Sequence, residues 1–546
     1  MSGTPFGRSI WLALRRRFRG ERLAYNRFDC GGLVMSNFAL RALDKRVKHF
    51  MAIHGTPPAR RMPQDAGLTA GISGMAMDLP PYRVRLEDWC RWTGGSWDKI
   101  SAVVGHAFRV PGPAQSVYTM AANAALKLLR RNDVDPARIG LLALGTESSN
   151  DNSAGSIIIK GMLDQALDDH GLPRLSQHCE VPEIKHACLG GVYALKNAVR
   201  HCLLEDSAAI VICSDLALYA RGSSGEPTQG AGAVALLVER NPALASLELG
   251  HAGRASDYRI SDFRKPLMNA DRRPRSNLHY PVFNGRFSTY CYLDQVRNAL
   301  LHLYRRRGVS PAEWLQELRA VFFHRPFRRM PQTAFAMVRL CAEALSHGDG
   351  SRLLQRLCPE TGIALDEALG EMRGRQELPE HDVDGQSDWN PFPRSNELMK
   401  GLRAMPEFEE LVLRPLRWGD DSMMQLGNIY SGALFAWLAA GLEEAAEAGE
   451  NWAGDEILLI GYGSGDAAEA LPMRICDGWR EAAGRIHFSK ALDPAYDLSR
   501  SQYEALHAGL AVDDLPRPPG FRVESIGTRT GRDFQDEGIE YYAYSA

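Results

Sequence analysis

The chain has 546 residues, long for one hydrophobic core; at roughly 150 residues per unit it points to two to four domain-sized parts. Its 45% apolar and 24% charged residues exclude wholesale disorder, and 64 Lys+Arg against 66 Asp+Glu leave a net charge of −2, which removes any whole-chain case for nucleic-acid binding. No apolar run nears the ~18 residues of a membrane span, and 10 cysteines are too sparse for a disulfide scaffold. With no CxxC or HExxH spacing for a metal, the composition reads as a soluble, cytoplasmic enzyme of a reducing compartment.

The near-zero charge hides an asymmetry. Thirteen Lys/Arg in residues 1–61 face only Glu21, Asp29 and Asp44, a segment charge of +10 against −12 for the remainder. Within residues 8–27, Trp11, Leu14 and Phe18 recur at helical spacing, as in a basic amphipathic helix that binds an anionic membrane surface or acidic partner. The plainer readings are a solvated extension, or a true start at Met75. Residues 1–70 are therefore treated as a basic N-terminal extension.

From about Gly71 the pattern is α/β. The spacing predicts a helix over Ser116–Arg131, a buried strand over Ile139–Gly145, a helix over Ser156–His170 and a strand over His178–Val181. A helix follows Ala187–Gly191 to about Leu203, then a strand over Ala208–Cys213. Alternating short apolar strands and helices predict a parallel or mixed sheet covered on both faces. A second such series runs from Val321 to the C-terminus, including the apolar stretch Gly432–Leu442, at most a short core helix, and the strand Ile457–Ile460. Two series in one chain suggest internal duplication. The polar stretch Gln376–Ser395 reads as a surface loop or insertion.

Four places carry chemistry. Cys188 lies just before a helix whose first turn holds Gly190 and Gly191; the helix dipole there favours thiolate, and the glycines let a substrate approach the backbone. The alternative is buried filler, as for the other cysteines. His178/Cys179 and His186/Cys188 lack further ligands at metal spacing. Glu147 stands at the C-terminal tip of a buried strand, where a desolvated carboxylate serves as a general base or, more plainly, as a helix-start acid. His324 is delivered by the apolar Phe322-Phe323 beside Arg325, Arg328 and Arg329, an arrangement suited to an anionic cofactor next to a reacting centre. Finally, Gly427–Gly432 and Gly461–Gly465 are glycine-rich turns. The second fails as a dinucleotide fingerprint because its third glycine position is Asp466. Such a turn presents N–H groups to an oxyanion or packs beneath a site.

These motifs occur in one order: Gly145-Thr-Glu147-Ser, Ala187-Cys188, Ser214-Asp215 with Tyr219, Gly225-Glu-Pro-Thr228-Gln through Val234, Phe323-His324-x-Pro-Phe327, Gly427-Asn428-Ile-Tyr430 and Tyr462-Gly-Ser464-Gly465. In that order, from about Gly71 to the C-terminus, the chain resembles the hydroxymethylglutaryl-CoA synthase family of the thiolase superfamily. The resemblance implies a five-layered αβαβα thiolase-like fold of two similar halves (71–245 and 246–546, with an insertion about 345–420), a homodimer, and condensation of acetyl-CoA with acetoacetyl-CoA. It matches Cys188 to the acetyl-accepting nucleophile, Glu147 to the acid/base, and His324 to the residue that orients the second thioester. Tyr219, Thr228, Asn428 and Ser464 match substrate-pocket positions, and Arg329 sits where the family often has a CoA-contacting Lys. No metal or other cofactor is implied beyond the CoA thioesters. Two alternatives stay open: β-branching of a β-ketothioester held by an acyl carrier protein, and a ketoacyl synthase III-like condensation. Departures are Leu189 and His186 beside the Cys, the long His324–Asn428 span, and residues 1–70.

Overall fold

The computed structural model describes residues 69–347, 351–374, 378–379 and 390–545. The basic segment 1–61, the helix expected over 8–27 and most of the polar stretch 376–395 lie outside the described residues. Met75 lies inside strand β1 (Ala70–Asp78), which is wholly buried and paired along its length, so a chain starting there would lack half a core strand.

Local rules start the first half. Ser116 and Thr119 form a capping box, the Ser116 N–H donating to Thr119 Oγ1 at 2.8 Å, and this opens the helix Val117–Arg131. After β2 (Tyr82–Arg85) and β3 (Ala107–Arg109), strands β4 (Ile139–Gly145), β5 (Glu183–Ile184), β6 (Ala208–Ala217) and β7 (Gly230–Arg240) build the sheet order β5-β4-β6-β7-β1. β4 and β6 are parallel; β6–β7 and β7–β1 are antiparallel. The strand expected at His178–Val181 is displaced to Glu183–Ile184: Glu180 only bridges Leu141, and pairing resumes opposite Leu144 and Gly145.

The second half repeats this plan. β8 (Ala245–Leu247), β9 (Gly253–Ser256), β10 (Ala320–Phe323), β11 (Glu456–Gly463) and β12 (Ala467–Ile475) follow, with β10–β11 parallel and β11–β12 antiparallel. A long helix precedes each opening strand (Val117–Arg131 before β4, Gly285–Arg307 before β10). A buried helix likewise precedes each central strand (Gly190–Leu204 before β6, Ala433–Glu447 before β11). β8 pairs both β1 and β12 and joins the halves into one ten-stranded sheet. The helix over the apolar Gly432–Leu442 stretch runs on to Glu447. Among the described residues no helix is long and apolar enough to cross a membrane.

Side-chain alternation sets the layers. Leu142, Leu144, Ile210 and Ile212 face the helices Val117–Arg131 and Gly155–Asp169, while Leu141, Ala143, Val211 and Cys213 face the core shared with Gly190–Leu204 and Ala433–Glu447. Those two helices lie between the halves, and Gly285–Arg307 and Arg329–Ser346 cover the far side. The result is the αβαβα order of a thiolase-like fold. In the region about 345–420, helices Arg352–Thr361, Leu365–Arg373 and Pro393–Ala404 pack on one another and all three against Arg329–Ser346, and Arg297 donates to Met372 O at 2.7 Å. Ser395, expected at the end of a surface loop, is buried in the third helix.

Candidate active site

Strand ends bring the chemistry together. β4 ends at Gly145 and releases Thr146 and Glu147; Cys188 sits just before the helix that starts at Gly190, in a turn where Ala187 has a φ of +43°. A non-glycine residue there costs about 1–2 kcal/mol, strain that fixes the direction of the next side chain. Cys188 Sγ donates to Glu147 Oε2 at 3.3 Å. The other carboxylate oxygen, Oε1, meets the Lys265 ammonium at 3.1 Å.

Both reactive groups are shielded from water. Cys188 is 9% exposed and clusters with Ala217, Tyr219 and Tyr430, with Phe263 and Phe283 packed on them. The rings meet edge-on, Tyr219 to Phe283 at 5.9 Å and Phe263 to Tyr430 at 6.0 Å between centroids. Burial pushes the Glu147 carboxyl toward its protonated form; Lys265 opposes that shift and the nearby Asp215 adds to it. The Cys188 thiol is raised well above the ordinary range by burial, then by Glu147. This corrects the expectation of a thiolate favoured by the helix dipole: desolvation and an adjacent carboxylate outweigh the dipole, and the resting group is a thiol hydrogen-bonded to a carboxylate.

Asp215 holds the frame. Its Oδ1 accepts from Glu147 N–H at 2.8 Å, Ser148 N–H at 2.9 Å, Ser148 Oγ at 2.7 Å and Thr146 Oγ1 at 3.0 Å. Its Oδ2 accepts from the Ser431 N–H at 3.0 Å. Fully buried and hydrogen-bonded all round, this carboxylate pins the Glu147 turn to the Tyr430–Gly432 turn.

The paired glycines serve packing and not substrate approach. A Cβ on Gly191 would lie 2.4 Å from Cys213 Sγ and 2.9 Å from Ser431 O, and one on Gly190 would lie 2.7 Å from Ile184 O. On the other side, a Cβ on Gly463 would lie 2.6 Å from Leu189 Cβ and 2.7 Å from His186 O. The Gly461–Gly465 turn is thus a bare surface on which the Cys188 turn rests, and Ser464 is half-buried at its tip.

His324 follows β10 and donates its N–H to Ile460 O at 2.7 Å, on the strand that continues into that glycine surface. Its carbonyl accepts from Tyr292 OH at 2.8 Å. The ring is buried, Nδ1 has no hydrogen-bond partner, and burial lowers its pKa to about 3, so the imidazole is neutral. Asn428 accepts the Tyr430 N–H on Oδ1 at 2.9 Å, which leaves its Nδ2 to donate elsewhere, and its own N–H donates to Thr228 O at 3.0 Å. Thr228, Arg325, Pro326, Phe327 and Gly427 line a common cleft, which joins the turns that carry Thr228, His324 and Asn428.

The arginines after His324 divide. Arg325 is buried against Asp420 at 2.5 Å and over the Trp437 ring, and Arg328 takes the other Asp420 oxygen at 2.8 Å. Neither is available to an anion, contrary to the three-cation reading. Arg329, at the start of its helix, forms no ion pair among the described residues.

Sequence reasoning passed over the segment between β9 and the helix Gly285–Arg307. It brings Asp262, Phe263, Lys265, His279 and Phe283 to the site. A signal existed: a stretch of nearly 30 residues without a regular element in a packed domain is uncommon unless it is functional. Asp262, Cys291 and Asp466 gather below this segment, but Asp262 already accepts from Tyr462 OH at 2.7 Å and Gly465 N–H at 3.0 Å, so the group serves as an internal tie.

The comparisons agree with this arrangement. A family model described as hydroxymethylglutaryl-coenzyme A synthase N terminal matches residues 63–243, beginning upstream of Met75. The hydroxymethylglutaryl-CoA synthase of Haloferax volcanii is 30% identical over 437 residues, 78% of this chain and 88% of the relative. The enzyme of the same name from Enterococcus faecalis is 26% identical over 450 residues, 82% and 94% of the two chains. A solved structure of MvaS in complex with 3-hydroxy-3-methylglutaryl coenzyme A superposes with a TM-score of 0.67 at 26% identity, covering 88% of this chain and 100% of that one. The curacin biosynthetic pathway HMG synthase in complex with holo donor-ACP shares the fold, with a TM-score of 0.63 at 20% identity over 87% of this chain and 100% of that one. With a thiol and a carboxylate meeting inside a thiolase-like duplicated sheet, and a relative 30% identical over 88% of its length, the chain belongs to the hydroxymethylglutaryl-CoA synthase family of condensing enzymes.

Proposed function

We propose that this enzyme condenses acetyl-CoA with acetoacetyl-CoA and releases hydroxymethylglutaryl-CoA and CoA, with Cys188, Glu147 and His324 as its catalytic residues. The observation that carries the reading is the Cys188–Glu147 contact of 3.3 Å inside a closed aromatic cage. A thiol in that cage gives up its proton to Glu147 as sulfur attacks the acetyl carbonyl, and the same proton goes to the departing CoA thiolate. Glu147 returns to its charged form and next removes a proton from the methyl group of acetyl-Cys188, so the new carbon nucleophile forms where water is scarce.

The neutral His324 imidazole then donates to the acceptor's ketone oxygen as carbon–carbon bond formation turns it into an alkoxide; its buried, unpartnered Nδ1 fits a hydrogen bond completed only when substrate is present. The Asn428 amide and the Tyr219 and Thr228 positions border the acyl groups, and Ser464 lies at the turn beneath them. The proton that Glu147 took from the methyl group passes to that alkoxide, and water finally cleaves the Cys188 thioester, giving the free carboxyl group and returning a proton to the sulfur. Every step is proton transfer or acyl chemistry on sulfur and carbon, so the reading calls for no cofactor beyond CoA. The reading favours a free CoA thioester over a carrier-bound acceptor, because the relatives of highest identity over most of the chain are hydroxymethylglutaryl-CoA synthases. It also takes the enzyme to be a homodimer in the cytoplasm.

The test is incubation with labelled acetyl-CoA, followed by acetoacetyl-CoA or an acetoacetyl-carrier protein. The expected result is a covalent acetyl adduct on wild type, absent in Cys188→Ala, chased into hydroxymethylglutaryl-CoA by the CoA acceptor. A wild-type enzyme that forms no adduct would sink the condensing reading, and product from the carrier substrate alone would assign the β-branching reaction.

A further inference from the structure

Lys265 stands out among the groups that the sequence motifs do not account for. Its ammonium forms an ion pair with Glu147 Oε1 at 3.1 Å and lies 4.1 Å from the centroid of the Tyr430 ring, and the buried nitrogen has no further hydrogen-bond partner among the described residues. The side chain is only 12% exposed. The backbone on either side is tied down: Arg264 N–H donates to Val282 O at 2.9 Å and receives the return bond at 2.8 Å, while Asp262 is held by Tyr462 and Gly465. Tyr430, the platform beneath the ammonium, has a φ of +42° and is held between Asn428 and the Ser431–Asp215 bond. Lysine, platform and carboxylate are thus each fixed by an independent element.

We infer that Lys265 is a positioning residue for Glu147: its ammonium holds Oε1, so that Oε2 faces the Cys188 thiol and the carboxylate enters each turnover charged. The inference rests on the function proposed above and adds to it the group that lets a buried carboxylate act as a base.

The electrostatic surroundings explain why a cation is needed. Glu147 is faced by Asp215 from β6, Cys188 from its helix start, Tyr219, Tyr430 and Lys265. Lys265 in turn faces His279, whose proton affinity is lowered by burial and then by that ammonium. Lys265 is the cation paired with Glu147. Burial and the aspartate favour a protonated glutamate, while Lys265 and the hydrogen bond from the thiol oppose them; a protonated carboxyl can take a proton neither from sulfur nor from carbon. A lysine over an aromatic face keeps a fixed charge in a dry site, because the ring replaces part of its lost hydration.

The test reads Cys188 with iodoacetamide, which requires no substrate, across pH in wild type, Lys265→Gln and Lys265→Arg, with Cys188→Ala as background and circular dichroism as the folding control. Lys265→Gln is expected to move the acid limb of Cys188 alkylation upward by about 1–2 pH units, while Lys265→Arg stays within about 0.3 unit of wild type. In steady state at pH 7, Lys265→Gln is expected to lower kcat about 10- to 100-fold with KM for the acetyl donor changed less than about twofold. Overlapping alkylation profiles for wild type and Lys265→Gln, or a loss confined to KM, would overturn the inference. If Lys265→Gln does not fold, the pair Glu147→Gln/Lys265→Gln removes both charges together and is expected to lose the acid limb; a limb unchanged from wild type overturns the inference there too. A wild-type enzyme that alkylates as expected and makes no hydroxymethylglutaryl-CoA would count against the proposed function, not against this role of Lys265.

Discussion

Asp215 and Ser431 stand 216 residues apart in the chain, yet the Ser431 N–H reaches Asp215 Oδ2 at 3.0 Å, with the serine hydroxyl on the same oxygen. Because Asp215 Oδ1 simultaneously holds the Glu147 N–H, one carboxylate joins the Glu147 turn of the first half to the Asn428–Tyr430 turn of the second. Removing it strands several buried donors. Asp215→Ala is expected to destabilise the protein by about 3 kcal/mol and to slow Cys188 acetylation as well, read by urea unfolding and by adduct formation. A variant with wild-type acetylation would separate this tie from catalysis.

Glu147→Gln keeps the shape of the side chain and removes the base. Condensation is expected to fall by about 10²–10⁴-fold with KM for acetyl-CoA little changed, measured as hydroxymethylglutaryl-CoA formed per enzyme. Condensation at the wild-type rate would take Glu147 out of the mechanism.

The arginines after His324 have separable roles. Arg325→Ala leaves Asp420 with only Arg328 and uncovers the Trp437 face, so an unfolding midpoint lowered by about 2–4 kcal/mol in stability is expected. Arg329→Ala is expected to leave stability within about 0.5 kcal/mol and to raise KM for CoA thioesters about 5-fold, as befits loss of one phosphate contact. A KM unchanged by Arg329→Ala for both acetyl-CoA and acetoacetyl-CoA would place the CoA phosphates elsewhere.

Two buried groups predict opposite pH trends in stability. Asp466 is pushed up to about 8, by burial first, so its contribution is complete below its ordinary value of 3.8 and lost as pH rises toward 8. His324 is lowered to about 3, so its contribution is complete above its ordinary value of 6.5 and lost as pH falls toward 3. Asp466→Asn is therefore expected to raise Tm relative to wild type by about 1–3 °C at pH 8 and by less at pH 5. A difference that does not change with pH would show that Asp466 is ionised throughout.

Glycine substitutions separate close packing from mere flexibility. Gly463→Ala forces a methyl against Leu189 Cβ and His186 O and is expected to cost about 1–3 kcal/mol and to slow acetylation by moving the Cys188 turn. Gly370, inside the helix Leu365–Arg373, has open space where its Cβ would be, and Gly370→Ala is expected to stabilise by about 0.5–1 kcal/mol. Thermal melts of the two variants compare them directly.

Much of this enzyme was legible in the chain because it depends on neighbours a few residues apart. The helix from Ser116, the strand at Ile139–Gly145, the helix behind Cys188, and the delivery of Glu147 and His324 by apolar strands all follow from side-chain period and turn chemistry. Ordered motifs pointed to the family, and the two βα series pointed to a duplicated sheet. Other features arose from residues that meet only after both halves close on each other. The state of the Cys188 sulfur followed burial and a glutamate from another strand, not the helix start beside it. The bare faces of Gly191 and Gly463 turned out to be filled by protein. Arg325 and Arg328, neighbours of a histidine in sequence, were claimed by Asp420. Lys265, in a stretch with no periodicity at all, became the counter-ion of the Glu147 carboxylate. Periodicity encodes which face of an element is dry; the charge on a buried group depends on what lies within about 4 Å of it, and that is set by distant segments once they pack.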